Sequence, residues 1–257
     1  MTKNGGLEDM VEKTFVFSDI HFPNHDEKAL SCAEKIMADL QPDRVIYIGD
    51  NMDMEPVSHW IEDKKRVVEN KRLIREYELW NKVLDRHTKL AGKRLKEVVY
   101  FEGNHENWVQ QYLDKHPEVE GLLEVPKNLE FDKRKKFKWI KLNHFYNLGK
   151  LKVCHGLYQN KYHANKMLEN LGTSVLYGHT HDVQVQTFSS IADVHQKHQA
   201  MSIGTLSSKT PDYMFNRPNR WMHSCAVVYT DVNGHFNAYI INIINGKAMF
   251  NGKLYRG

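Results

Sequence analysis

The chain is poor in the residues that would commit it to an oxidising or membrane setting. It has only three cysteines in 257 residues, Cys32, Cys154 and Cys225. An odd and widely spaced set gives no disulfide framework and fits a reduced, cytoplasmic protein. No apolar run approaches the ~20 residues that cross a bilayer. Residues 1–13 are polar and acidic, without the basic start and apolar stretch of a secretory leader, and are expected to form a flexible tail. Repeats and low-complexity segments are missing. A large excess of one charge is missing too: the formal net charge is +4. That suits anionic substrates but is too small to mark a nucleic-acid footprint by itself. No serine or cysteine stands where a nucleophile would be suspected. The 41% hydrophobic content is enough to bury a substantial core, so one domain over 1–257 with no membrane partner is expected.

Histidine, by contrast, is plentiful, with fifteen residues, and it serves both as metal ligand and as acid or base. Whether these residues cluster depends on the order of elements. Helical and strand-like patterns alternate, which points to a mixed α/β class. The run TFVFS (14–18) reads as a strand, 26–40 as a helix opened by Asp26, and RVIYI (44–48) as a second strand. The pattern over 68–91 predicts a long amphipathic helix with Ile74, Tyr77, Trp80, Leu84 and His87 on one stripe and Gly92 as its stop. Further strands are expected at 95–101, 151–154 and 174–177, with a helix over 161–171. From 183 onward the pattern is strand-like, with a turn at Asn233-Gly234.

Five of these runs end in a short polar cluster, usually beside a glycine. The clusters are Asp19-Ile20-His21, Gly49-Asp50-Asn51-Met52-Asp53, Gly103-Asn104-His105-Glu106, His155-Gly156 and Gly178-His179-Thr180-His181. In layered α/β folds, ligands gather at the carboxyl ends of strands, so five clusters there imply one shared site. Carboxylates, imidazoles and one amide, with no thiolate, favour Mn, Fe, Zn, Co or Ni over Mg or Ca. Asp-x-His and His-x-His are expected to present both side chains on one side of an extended chain. Taken singly, each cluster would read as a strand end or a satisfied core histidine; it is their joint occurrence in register that carries information.

In that order the five clusters resemble the calcineurin-like metallophosphoesterase superfamily, whose pattern is D-x-H, G-D-x-x-D, G-N-H-[DE], H and G-H-x-H. The resemblance runs from Asp19 to His181. It implies a four-layer β-sandwich of two mixed sheets flanked by α-helices, with a binuclear metal site at one edge. Residues 183–257 would complete the second sheet. Asp19, His21 and His181 would bind one ion, Asp50 would bridge, and Asn104, His155 and His179 would complete the second ion's shell. His105 would face substrate as the acid, with Glu106 behind it to orient the imidazole. Asp53 is read as a supporting carboxylate. The implied reaction is hydrolysis of a phosphate ester by in-line attack of a hydroxide shared between two ions, Mn being the first expectation. Two ligand carboxylates facing two dications leave the site about two charges positive, ready for a phosphate.

The substrate is less defined. Protein phosphatases of the superfamily carry an arginine directly after the second motif, whereas Asp53 is followed by Met54-Glu55-Pro56. A phosphodiesterase or nuclease acting on DNA or nucleotide esters is therefore preferred. A phosphomonoesterase is one alternative, and a non-catalytic metal-binding scaffold is an alternative of another class. Ser202 to Leu206, Pro211 to Tyr213 and Trp221 are similar to phage and prophage members, which would place the protein in a host cytoplasm. The segment 107–150 is expected to be a substrate-selecting cap. Lys64-Lys65-Arg66 and Lys133-Arg134-Lys135-Lys136 read as solvated faces, and His59 and His163 as packing residues near the motif loops.

Overall fold

Strand residues alternate between two buried faces, and this alternation builds four layers. The computed structural model describes residues 11–61, 65–211 and 217–257. Strands β1 (Glu12–Phe17), β2 (Arg44–Tyr47) and β3 (Glu97–Phe101) run parallel. Phe15, Phe17, Val45, Tyr47, Val98 and Tyr100 point to one side, where α1 (Glu27–Leu40) and α2 (Leu73–Ala91) cover them. Val16, Ile46, Val99 and Phe101 point to the other side and meet Val153, Leu176 and Met201 of the second sheet. The outer face of that sheet, with Cys154, Val175, Tyr177 and Ala200, is covered by Ala164, Met167 and Leu168 of α5 (His163–Leu171). The order helix, sheet, sheet, helix is the sandwich the motifs implied.

The six-stranded sheet has the order β11-β10-β1-β2-β3-β4, and the five-stranded sheet β5-β6-β7-β9-β8. The second sheet is built from β5 (Tyr146–Leu148), β6 (Leu151–Cys154), β7 (Val175–Tyr177), β8 (Gln184–Ser189) and β9 (Lys197–Ser202). Only β8 and β9 of the late strands join it. Strands β10 (Ser224–Thr230) and β11 (Phe236–Asn242) extend the first sheet, β10 pairing antiparallel with β1. The expectation that 183–257 completes the second sheet is corrected accordingly. Ser224 to Val228 are all buried, so this strand needs cover on both faces, which the place beside β1 supplies. A last hairpin, β12 (Lys247–Phe250) and β13 (Lys253–Arg256), lays Ala248 and Tyr255 against α1.

Local chemistry explains the element ends. The Asp26 carboxylate accepts the Ala29 N–H at 2.8 Å and opens α1. Helix α2 begins at Leu73 rather than 68, because Asn70 adopts a left-handed φ of 66° that breaks the helical run. Its buried stripe is Leu73, Tyr77, Trp80, Leu84 and His87, whereas Ile74 is 49% exposed. The spacing 73, 77, 80, 84, 87 follows the 3.6-residue period that Ile74 misses by one position.

The segment 107–150 is not a detached cap. Helix α3 (Asn104–Lys115) starts inside the third motif, and the short α4 (Val125–Asn128) follows it. Strand β4 (Phe137–Ile140) then pairs parallel with β3. Trp139 stacks on Tyr100, so this part of the segment packs against the core. Glu12 and Lys13, expected in a flexible tail, lie in β1; residues 1–10 of that tail, Lys64 and Tyr213 lie outside the described residues. Among the described residues no helix is long and apolar enough to cross a membrane.

Candidate metal centre

The carboxyl ends of β1, β2 and β3 in one sheet and of β6 and β7 in the other feed five loops to one edge of the sandwich. These loops carry all seven residues expected as metal ligands. Asp19, His21, Asp50 and His181 each offer one ligand atom within 4.8 Å of the others, and so do Asp50, His155 and His179. Asp50 belongs to both groups. Asn104 Oδ1 lies 3.1 Å from His155 Nε2 and so joins the second. In the first group His181 Nε2 is 3.4 Å from Asp19 Oδ1 and 3.0 Å from His21 Nε2. In the second, His155 Nε2 is 3.3 Å from Asp50 Oδ2 and 3.2 Å from His179 Nδ1.

The orientation of the imidazoles tests whether cations fit. His21 Nδ1–H donates to Asp53 Oδ1 at 3.0 Å, and His155 Nδ1–H donates to the Ile48 carbonyl at 3.1 Å. His179 meets the Gln159 amide through Nε2. With Nδ1–H donating outward, the rings of His21 and His155 each turn Nε2 inward as a lone pair, the tautomer a metal ion requires. Buried carboxylates, imidazoles and an amide in two groups around one shared Asp form a donor set suited to transition-metal ions.

The backbone at these ligands differs from the extended chain expected of Asp-x-His and His-x-His. Asp19, His21, Asp50, His179 and His181 all have positive φ, between 44° and 75°. A strand would set alternate side chains about 6.5 Å apart along its length, from the ~3.3 Å rise per residue. The left-handed turns instead fold each pair back onto one point. Such a conformation costs a non-glycine residue ~1–2 kcal/mol. Bonds between loops offset it: the His21 N–H donates to the Asp50 carbonyl at 3.0 Å, and the His179 N–H to Asp19 Oδ1 at 3.0 Å. Two glycines are required by proximity. A Cβ on Gly103 would sit 2.9 Å from Asp50 Cγ, and one on Gly178 would sit 2.7 Å from Ser18 Oγ.

Charge follows from the neighbours. Burial alone would raise the carboxyls of Asp19, Asp50 and Asp53. The surrounding imidazoles prevail and hold all three below the ordinary carboxylate range, chiefly His181 for Asp19, His155 for Asp50 and His105 for Asp53. Burial opposes a proton on His105, but Asp50 and Asp53 outweigh it and lift that imidazole to about 9. His155 is likewise lifted against burial, by Asp50, to about 9, while burial and then His155 push His179 down to about 4. A cation at His155 must therefore displace a proton, so metal uptake weakens in acid.

His105 stands beside the donors with its ring against Trp108, centroids 3.8 Å apart. Its Nδ1–H donates to the Asp53 carbonyl at 2.8 Å and lies 3.1 Å from Asp53 Oδ1. Its Nε2 has no partner among the described residues. The carboxylate behind His105 is thus Asp53, and the expectation for Glu106 is corrected. Glu106 Oε2 accepts the N–H groups of Asp50 (3.0 Å) and Gly103 (2.9 Å), and Oε1 accepts those of Asn51 (2.8 Å) and Met52 (3.2 Å). At the first turn of α3 its side chain points back into the second motif loop, which it shapes. No hydrogen bond or ion pair joins Glu106 to His105 among the described residues.

Other expected residues stay away from the centre. His163 is buried between the Tyr177 hydroxyl (2.7 Å) and Asp182 (2.9 Å), and His59 is exposed beside Trp60. Arg134 of the second basic run is bound to Asp85 at 2.6 Å. Three groups were not expected at the centre: Thr205, whose hydroxyl donates to the Asp19 carbonyl at 2.7 Å; Gln159 against His179; and Trp221, whose ring lies edge-on to His181 at 4.3 Å. Thr205 and Trp221 lie beyond the five motifs, and Gln159 between two of them.

The α/β/β/α sandwich and the five converging motifs fit the fold that the resemblance to calcineurin-like metallophosphoesterases implied. No family model matches the chain. It is similar to the gene 54 protein of Mycobacterium phage D29, 25% identical over 268 residues that cover 96% of this chain and 99% of the relative. It is also similar to the gene 54 protein of Mycobacterium phage L5, 24% identical over 262 residues with the same coverage. Among solved structures it is similar to Vacuolar Protein Sorting 29 from Cryptosporidium parvum (12% identity, 97% of each chain, TM-score 0.46). Another is the Pseudomonas putida nuclease MPE (15% identity, 82% of this chain and 83% of that one, TM-score 0.38).

Proposed function

We propose that the chain hydrolyses phosphate esters with two divalent transition-metal ions, Mn first among Mn, Fe, Zn, Ni and Co, and that its substrates are phosphodiesters, DNA or nucleotide esters. The observation that carries this reading is the sharing of Asp50 between two donor groups with the His105 imidazole, held by Asp53, beside them. Two ions so held supply a water of lowered pKa and positive charge for phosphoryl oxygens. The chain itself supplies the rest. His105, fixed through Nδ1 by Asp53, offers its Nε2–H to a phosphoryl or leaving oxygen, work that is worth ~100-fold or more in rate. Asp53 also fixes His21, so one carboxylate sets both a ligand and the acid. Asn104, His105 and His179 are half-buried while the other ligands are buried, so substrate enters from their side.

A diester fits better than a monoester. Among the described residues no Lys or Arg is hydrogen-bonded or ion-paired to any of the seven ligand residues or His105, so none of them forms a further cationic clamp there for a dianionic terminal phosphate. The phage relatives favour a host cytoplasm as its place of action. Hydrolysis of bis(p-nitrophenyl) phosphate against p-nitrophenyl phosphate, across Mn, Ni, Zn and Mg, tests the reading. Diester turnover supports it and monoester-only turnover replaces the substrate. Inactivity with every metal, while Mn still binds and Asp50→Asn abolishes that binding, would make the chain a metal-binding scaffold.

A further inference from the structure

A second site lies at the far end of the five-stranded sheet from the metal centre. An open cleft of about 1350 Å³ is lined there by Lys150, Lys152 and Lys197 together with His195, His198 and His235, and by no carboxylate among the described residues. Lys150 and Lys152 stand at the amino end of β6 and Lys197 at the start of β9, whereas the ligand loops leave the carboxyl ends of β6 and β7. None of the three lysines forms an ion pair with a described residue. Lys150 Nζ lies 2.9 Å from His235 Nε2, and Lys152 donates to the Asn147 side-chain carbonyl at 3.2 Å.

Two carboxylates of the adjoining loops, Asp231 and Asp193, are engaged within those loops. Asp231 accepts the N–H groups of Asn233 and His235 at 2.9 and 2.8 Å and the His235 ring at 3.0 Å, and Asp193 accepts the His195 N–H at 2.9 Å. Aromatic surface also borders the cleft. Phe188 is 47% exposed and parallel to His198, with an interplanar angle of 5°, and Phe236 lines the cleft as well.

We propose that this cleft binds single-stranded nucleic acid, its lysines on successive phosphates and Phe188 against a base. Like charges without counterions in one cleft repel one another, and a polyanion relieves that repulsion while releasing its own condensed ions. The exposed Phe188 ring in the cleft lining adds base stacking, which a duplex does not offer. The site is separate from the metal centre, so the proposal stands whether or not the chain hydrolyses esters.

Fluorescence anisotropy of a labelled oligothymidylate, measured in EDTA so that no metal bridges the strand to the other edge, reads this site. Lys150→Ala/Lys152→Ala/Lys197→Ala is expected to weaken binding tenfold or more. It should also flatten the salt dependence by about 2, at ~0.7 per phosphate contact on a single strand. Phe188→Ala should weaken binding ~5-fold or more, from the lower end of stacking energies. Near-UV circular dichroism verifies that the variants keep the native fold. Wild-type affinity in a folded triple variant overturns the proposal. So does absence of binding by the wild type, or competition by inorganic polyphosphate or duplex DNA as effective as that by the single strand.

Discussion

Substituting Gly103 by alanine should separate the geometry of the metal centre from the stability of the fold. Gly103 has φ −89° and ψ −175°, a conformation open to any residue, so alanine brings no backbone strain. It brings a methyl group 2.9 Å from Asp50 Cγ and nearer still to the Asp50 backbone nitrogen, where ordinary contact begins at 3.4 Å. Asp50 must therefore retreat by at least 0.5 Å, the difference of those two distances. Metal–ligand distances tolerate only about ±0.2 Å, and Asp50 is the one residue common to both donor groups. Overpacking of this kind costs ~1–3 kcal/mol of stability.

The expected result is a protein whose urea midpoint in EDTA falls modestly while calorimetric titration with Mn loses both binding events. Gly172→Ala is the control. That glycine has φ 58° and open space around its missing Cβ, so alanine there should cost ~1 kcal/mol from the left-handed conformation alone and leave Mn binding intact. Two Mn equivalents bound by Gly103→Ala with wild-type affinity would refute the shared-ligand geometry.

His105→Ala should lower diester turnover by ~100-fold or more while elemental analysis still finds both ions; unchanged turnover removes His105 from the chemistry. Asp53→Asn takes away a charge that raises the His105 imidazole to about 9, so the decline of activity at alkaline pH should begin at lower pH at saturating Mn. Its loss of the His21 contact should weaken Mn affinity ~10–100-fold, and an unmoved pH profile would contradict the Asp53–His105 coupling. Glu76, in α2, is pushed up to about 8 by burial and then by Asp53 and Glu55. Its contribution to stability is full below its ordinary value of 4.5, erodes as pH rises and is lost above about 8. Glu76→Gln should therefore gain ~3 kcal/mol over the wild type on going from pH 4 to pH 9 in denaturant melts, after allowance for incomplete burial. Parallel pH dependence in the two proteins would exclude that carboxyl as the cause.

The sequence by itself located the seven side chains that meet at the candidate centre, because each lies in a short string that closes a strand and local pattern is enough to find strand ends. It determined the layer order as well, since the alternation of Phe15, Val16 and Phe17, or of Val45, Ile46 and Tyr47, needs cover on both faces. Tertiary structure alone decided which sheet receives β10 and β11, because strand pairing is a contact between residues some 200 positions apart, such as Val16 with Ala226. It alone decided that Glu106 shapes the loop of Asp50 and that Asp53 stands behind His105, because both carboxylates are buried and each direction is set by the donors it meets. The left-handed turns at Asp19, His21, Asp50, His179 and His181 belong to the same category. Nothing in an Asp or a His favours them enough to predict them, and they persist because bonds between distant loops fix the backbone in a conformation no single segment would choose.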